Sequence, residues 1–577
     1  MAGYLPTLSD NSNNKSREMI GQFGGYNHNL RISNNEFWDM ENMSSDAYPL
    51  ITPREPRSIV RAFTKPNGLF AHEKLCWIDG TDFYYDGEIK GAVEDSPKQL
   101  VGMGAYILIW PDKKYYNTNT DEFGSLANST ATSGTVNITL TRLDGTAYTD
   151  YTVADTAPAN PEDGDLWIDT SESPHVLKQW SVSYGMWSSI PTTYVKIAAA
   201  GIGEGFAEYD GVTISGMEND ALNGEFILYG AADDYIIITA IIDAVATQQN
   251  SVVVDRKIPD MDYVTESNNR VWGCSSANHE IYACALGDPK NWNRYLGIAT
   301  DSYAVTVGTP GDFTGCITHL GYVLFFKEDV IHKIYGNKPS NYQLTDTISR
   351  GVEKGSEKSL VIVNETLYYK SRQNVCAFNS ALPASISEQL GDVQYHDAVA
   401  GARGSKYFIS MRDENNVPAM LVYDESRGLW HKEDKVYASY FAALGAELYF
   451  INANDNCLYS VGGTLEPYAD NTAGIENQIR WYVQTGDIGL DSPDNKYISK
   501  LQVRLEVSAK SLVCIELQYD QDYDNWEEKY RISITNKRSF TVPIIPRRCD
   551  TMRMRISGYG DCVIYSIAKT IEQGSEM

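Results

Sequence analysis

The 577-residue chain predicts an all-β protein built on a β-propeller, and three observations carry that expectation. Tyrosine is abundant, with 39 residues against 16 phenylalanines. Short runs of Tyr, Thr, Val and Ile are broken by Gly, Asn and Asp, which favours strands over helices. From Phe313 onward a degenerate unit recurs about every 40–45 residues, the period of a four-stranded blade. The expected architecture is a propeller of about seven blades with an inserted small β module and a C-terminal β-sandwich.

The elements follow in order. Residues 1–57 form an N-terminal segment leading into the propeller. Residues 58–120 hold its first blades, with apolar runs at 69–85 and 100–116. Residues 121–250 differ in texture: they are rich in Thr, Ser and Ala, and Pro158 and Pro161 mark a junction. They are expected to be an insertion of one or two small β modules, because closing a longer loop costs little extra entropy. Residues 251–465 hold the remaining blades. One lies at 262–284, and four clearer copies span 313–335, 360–378, 398–424 and 440–460. Each copy has an apolar strand, a turn, a Tyr-bearing strand such as Tyr322-Val323-Leu324-Phe325-Phe326, and a Gly- or Asp-bearing loop. No blade can bury both faces alone, so stacking is what stabilises it. After Gly463 the rhythm stops. Runs such as 500–507, 512–519 and 552–556 are apolar at every second position, as a sandwich requires, and 466–577 is assigned to it.

Composition excludes several function classes. The formal net charge is −28 at pH 7, a field that repels nucleic acid at long range. The densest basic pair is Arg547-Arg548, too little for gripping a duplex, though an acidic conduit could let DNA slide past. Nine cysteines are scattered without a CxxC pair, so they read as buried strand thiols in a reducing cytoplasm. The first residues, MAGYLPTLSDNSNN, show neither a basic nor an apolar signal region. The longest apolar stretch, 235–245, contains Asp243 and is too short to cross a bilayer as a helix.

No residue pattern nominates a catalytic, cofactor or metal site. GxSxG, HExxH and the P-loop are absent. Gly201-Ile202-Gly203-Glu204-Gly205 lacks the dinucleotide-loop spacing and reads as a turn cluster. His396-Asp397 has no nucleophile or third group, and His431 stands beside Trp430. Asp520, Asp522 and Asp524 alternate as in a calcium loop, but Asn525 and Arg531 occupy its sixth and twelfth positions, so a hairpin tip is expected. Asp424–Trp430 (DESRGLW) is similar to the Asp-box hairpin of sialidase-type propellers, which stabilises a blade turn. Trp167, Trp180 and Trp187 in the insertion are either sugar-stacking aromatics or packing for a small module.

The N-terminal segment carries a resemblance. Gly24-Gly25-Tyr26-Asn27, Arg31-Ile32, Glu36-Phe37, Met40–Pro49 (MENMSSDAYP) and Pro53-Arg54 resemble the opening of the tail nozzle (hub), or phage stabilisation protein, family of short-tailed bacteriophages. Val271-Trp272, Ile281-Tyr282 and Asp288-Pro289-Lys290-Asn291-Trp292-Asn293 are similar to that family's strand and DP-x-x-W loop. The 164–187 stretch resembles an accessory module of phage virion proteins.

The resemblance implies a structural virion protein of the tail, made in the bacterial cytoplasm and without enzymatic activity or cofactor. It implies a self-associated ring, a hexamer, below the head-to-tail adaptor or portal, extending and helping to close the DNA ejection channel. Its neighbours would be tail fibre, spike or needle proteins, and phage DNA would pass through the lumen without specific binding. The more acidic face is expected to line that lumen. The alternatives are a carbohydrate-binding tail-tip propeller and a glycan-degrading propeller enzyme, which would need two carboxylates facing across a pocket.

Overall fold

A computed structural model of the chain describes residues 15–491, 496–520 and 525–573. Among them the regular elements are strands, apart from short 3-10 turns at Asp220–Leu222, Pro339–Asn341, Glu357–Ser359 and Glu388–Leu390. The protein is all-β and of propeller type, made of many small, mostly antiparallel sheets and two eight-stranded ones. The chain divides into two compact units.

The first unit comprises residues 1–97, 326–331 and 347–577. Three four-stranded meanders lie in it, at 66–92, 361–385 and 395–432. A further sheet is built from Ala438–Leu444, Glu447–Asn452 and Cys457–Ser460, and takes its fourth strand from Ser58–Ala62, with Cys457 opposite Ala62. Turns are tight because Gly404 and Gly445 occupy left-handed backbone (φ 58° and 61°) at hairpin tips, where a side chain would be strained.

The first strands of consecutive sheets pack on each other: Val361–Val363 on Tyr395–Arg403, the latter on Ala438–Leu444, and that strand on Pro66–His72. The apolar alternation of each strand supplies the layer between sheets, with Phe408, Met420, Leu448 and Phe450 in one interface and Val60, Trp77, Tyr449 and Ile451 in the next. Burying such faces provides the main stabilisation, about 25 cal/mol per Å² of apolar surface.

The C-terminal region departs from a sandwich of two separate sheets. Its strands form one hydrogen-bonded sheet around a 24-residue strand, Lys496–Tyr519. The first half of that strand pairs with Cys562–Gln573 and the second half with Met552–Tyr559, while Glu527–Thr541 runs along its other side. The pairing changes around Lys510, which has φ 63°, so one strand bends from one layer into the other. Val503 and Leu505 before the bend and Val513 and Ile515 after it share one core with Ile556 and Ile564.

The N-terminal segment also belongs here, beyond its expected role of leading into the blades. Lys15–Ile20 pairs with Cys562–Gln573, and Phe37–Glu41 pairs with Arg480–Thr485. Both pairings join residues hundreds of positions apart.

The second unit comprises residues 98–325 and 332–346. Its meanders lie at 99–125 and 263–306, with most of a third at 315–348. Val101, Leu108 and Trp110 pack with Val264, Val271 and Trp292 between the first two. Trp272 and Cys274 pack with Phe313, Val323 and Phe325 between the second and third.

The insertion is offset from the expected 121–250. Glu122–Ser125 completes the 99–125 meander by pairing with Lys114–Asn117. The inserted strands begin at Asn128–Ala131 and end at Val253–Arg256, which pair with each other and so close the module at its base. Pro158 and Pro161 lie inside it, in the connection between the parallel strands Tyr151–Ala154 and Leu166–Asp169. The module contains an eight-stranded sheet and a four-stranded one, 151–189, with a core of Ile138, Leu140, Ile168, Leu177, Val195 and Ile238 among others.

Candidate functional site

The three tryptophans of the insertion come together on the 151–189 sheet. Strand periodicity explains how. Ile168 and Leu177 are fully buried and point into the module core, so the alternate residues Trp167, Lys178 and Trp180 point the other way. Register completes the face: Trp167 is opposite Lys178 and Trp180 is opposite Trp187.

Trp187 is the centre of the cluster. Its ring meets Trp167 edge-on at 5.4 Å and Trp180 edge-on at 5.5 Å. Trp167 is buried, and its indole N–H donates to the Ala154 carbonyl at 2.9 Å. Trp180 and Trp187 remain half-buried. Beyond them the hairpin tip exposes Val182, Tyr184 (80%) and Met186.

Charge borders the aromatics. Lys178 Nζ reaches Asp169 at 2.8 Å and Glu172 at 2.7 Å, and lies 5.1 Å from the Trp167 ring centre. The hydrogen bond from Lys178, with help from Ser171, draws the Asp169 carboxyl down to about 2. His175 Nδ1 lies 2.7 Å from Asp243 and ties the small sheet to the large one. The result is a cluster of indoles in edge-on contact with polar groups at one side, able to offer CH–π contacts and hydrogen bonds to a planar or sugar-like ligand.

The other motifs serve the architecture. His396 Nδ1 lies 3.0 Å from Asp397, and its Nε2 lies 3.1 Å from the Asp413 carbonyl, so both ring nitrogens hold a bulged strand. Asp424, first residue of the Asp-box-like hairpin, accepts from Ser45 and Ser426 at 2.6 and 2.7 Å. Gly201–Gly205 is a turn, and a Cβ at Gly203 would lie 2.1 Å from the Ala232 carbonyl. Asp522 and Asp524 lie outside the described residues. Among the described residues no group of three His, Cys, Asp or Glu side chains is arranged to hold a metal. All nine cysteines are free, seven of them buried.

The DP-x-x-W loop secures the insertion. Asn291 donates to Asp210 at 2.9 Å, and its side-chain oxygen accepts from the Gly211 N–H at 3.0 Å. Arg256, on the last inserted strand, pairs with the same Asp210 at 2.6 Å. Trp292 donates back to Pro289 and is buried against Trp110.

Sequence reasoning missed one cluster. Arg57 is buried and pairs with Glu433 and, at 2.7 Å, with Asp434. Arg54 pairs with Glu476 at 2.7 Å and donates to Asn42 at 2.7 Å. Arg54 belongs to the N-terminal pattern, but its acidic partners lie hundreds of residues away and leave no local signal.

No protein-family model matches the sequence, and no curated protein matches it. Among solved structures, Chaetomium thermophilum Raptor is 10% identical over 70% of this chain and 28% of that one, at a TM-score of 0.28. Kluyveromyces lactis Hsv2 is 9% identical over 62% of this chain and 96% of that one, at 0.26. Phage phi92 endosialidase is 9% identical over 72% and 69%, at 0.20. Likeness at these values carries no function across.

Proposed function

We propose that this chain is a structural protein of a bacteriophage tail, a nozzle or hub subunit that forms a ring below the head-to-tail adaptor. In this reading the ring extends and helps close the DNA ejection channel, and the chain performs no catalysis of its own. One observation carries it. The N-terminal pattern that resembles the nozzle family is used as a clamp between the 395–432 sheet and the C-terminal sheet. Tyr26 N–H donates to the Trp430 carbonyl at 2.7 Å, Asp39 pairs with Lys432 at 2.9 Å, and Asp46 pairs with Lys406 at 2.6 Å. A pattern spent on rigid architecture suits a wall element, and the acidic balance suits a channel that DNA must not stick to. Adaptor or portal proteins and a fibre, spike or needle are the partners this reading supplies.

Immunogold labelling of purified particles from a producing culture tests it. Gold at the tail, under the head or at its distal end, is expected. Unlabelled particles with the protein free in the lysate would remove the virion reading.

The half-buried Trp180 and Trp187 beside the exposed Tyr184 favour a second reading, recognition of a host-surface glycan. Binding on a glycan array that is lost in the Trp167→Ala/Trp180→Ala/Trp187→Ala variant is its expected result. No binding by the parent chain would assign these rings to packing. Release of reducing sugar from host envelope polysaccharide would instead bring back the enzyme alternative.

A further inference from the structure

Charge is distributed very unevenly along this acidic chain. Residues 1–495 contain 35 Lys and Arg against 65 Asp and Glu, whereas residues 496–577 contain 13 against 11. At the other extreme, residues 197–255 contain ten Asp and Glu and no Lys or Arg.

Three of the C-terminal cations, with one from the N-terminal strand, share one face. Along the long strand Leu501, Val503 and Leu505 are buried, so Lys500, Gln502 and Arg504 face outward. Lys500 is opposite Thr570, which is opposite Arg17 on the N-terminal strand, so both cations stand in one cross-strand row. Arg17 donates to Gln502 at 3.2 Å, and Arg504 donates to Ser539 at 3.0 Å. Lys537 lies 4.0 Å from the ring centre of Tyr565, whose hydroxyl is bonded to Glu506. Arg17, Lys500, Arg504 and Lys537 are all exposed, and none is in an ion pair with a described residue.

The acidic segment is equally open. Glu218 and Asp220 stand at the 3-10 turn Asp220–Leu222 and Glu225 on the strand Gly224–Ala232 that follows it, all three exposed and without a cationic partner among the described residues. Like charges left together on a surface cost self-repulsion, which a complementary surface relieves.

We propose that these two surfaces dock on each other between copies of this chain, the basic C-terminal face of one subunit against the acidic inserted module of the next. The contact joins two different patches, so it is heterologous, the type that builds rings rather than isologous dimers. The inference rests on the ring reading above and assigns that ring its contact.

The test uses the full-length chain. Isotopically heavy and light copies are mixed at low salt and treated with a zero-length carbodiimide, which activates a carboxylate as an O-acylisourea; a lysine amine then displaces it, forming the amide and releasing the substituted urea. Heavy–light cross-links from Lys500 or Lys537 to Glu218, Asp220 or Glu225 are expected. Sedimentation velocity should show self-association that weakens with added salt as the contact is screened. Arg504→Glu/Lys537→Glu should weaken it by roughly tenfold or more. Mixing that variant with Glu218→Lys/Asp220→Lys should restore hetero-association, which a misfolded variant could not do.

Absent cross-links, a chain that stays monomeric at low salt, or reversal without effect overturns the proposal. So does retention of duplex DNA by the basic face with self-association unchanged by reversal. Gold at the tail alongside any of these results would sink the contact and leave the virion reading standing.

Discussion

Gly25 lies against the backbone of Trp430: a Cβ at Gly25 would sit 2.5 Å from the Trp430 carbonyl oxygen, and Gly25 has φ 80°. That same oxygen accepts the N–H of Tyr26 at 2.7 Å. The glycine of the Gly24-Gly25-Tyr26 pattern thus permits an approach that fastens the N-terminal segment to the 395–432 sheet. Gly25→Ala should combine left-handed strain with a backbone clash and destabilise the first unit by about 1–3 kcal/mol. Urea unfolding followed by tryptophan fluorescence would report it as a lower midpoint. An unchanged midpoint would mean that the segment docks too loosely to act as a clamp.

Arg57 is buried and holds two carboxylates, the buried Glu433 and the half-buried Asp434. Removing it as Arg57→Leu leaves the buried Glu433 without its partner and Asp434 with Arg54 at 3.5 Å, and breaking a buried pair in this way costs about 3–5 kcal/mol. The double variant Arg57→Leu/Glu433→Leu should lose less than the sum of its parts, since the two side chains act together. Glu476, on the neighbouring Arg54, adds an acid dependence. Burial pushes its carboxyl up, but the Arg54 hydrogen bond, the nearby guanidinium charges and the Arg57 N–H outweigh burial and hold it below the ordinary value. Its contribution is therefore present above the unfolded carboxylate range and is lost as pH falls through the folded value. Glu476→Gln should flatten the acid limb of a chemical-denaturation series, and equal slopes in the two proteins would contradict this account.

The blade rhythm was legible because everything that makes a meander is local. Apolar runs, tyrosines and turn residues all sit within one copy, as in 395–432, where Tyr407 to Met411 and Ala419 to Val422 are buried along their whole length and joined by a short turn. The tryptophans could be singled out as a group for the same reason, although only the register of Trp180 opposite Trp187 shows that they touch. What escaped is pairing across the chain. Nothing near Ser58–Ala62 says that it completes a sheet begun at Ala438, and nothing near Lys15–Ile20 announces Cys562–Gln573. The bend at Lys510 was hidden as well, because a strand that changes layer keeps its alternation on both sides of the turn.

His431 gives the molecule a pH response that can be isolated. It is buried beside Trp430, and its Nδ1 has no hydrogen-bond partner among the described residues. Burial, and then the charge of Lys406, push its imidazole down to about 4 from an ordinary 6.5. Below pH 6.5 the unfolded chain takes up a proton that the folded chain refuses, so stability falls as pH drops from 6.5 to 4. The full effect is at most about 3 kcal/mol. Above pH 6.5 this residue contributes no pH dependence. The difference in unfolding free energy between the parent and His431→Gln should therefore vary across that window and be flat above it. A constant difference from pH 8 to pH 4 would show that the imidazole titrates normally.

Trp187 is the residue on which the aromatic face depends, because it touches both Trp167 and Trp180 while those two are joined only through it. Trp187→Ala removes both edge-on contacts and uncovers the Trp167 ring. The side chain is half-buried, so the loss should fall below the range for a fully buried tryptophan, at about 2 kcal/mol. It should also stay local, since the core residues Ile168 and Leu177 lie on the opposite face of the sheet. Hydrogen exchange read peptide by peptide separates the outcomes. Faster exchange confined to 151–189, with the blade sheets unchanged, is expected if the cluster stabilises its own module. Glycan binding can then be compared between Trp187→Ala and Trp180→Ala, which keeps the Trp167–Trp187 contact. Equal loss of binding in both with exchange accelerated in neither would assign the rings to a ligand. Unchanged exchange together with unchanged binding would leave the face without either role and sink the prediction.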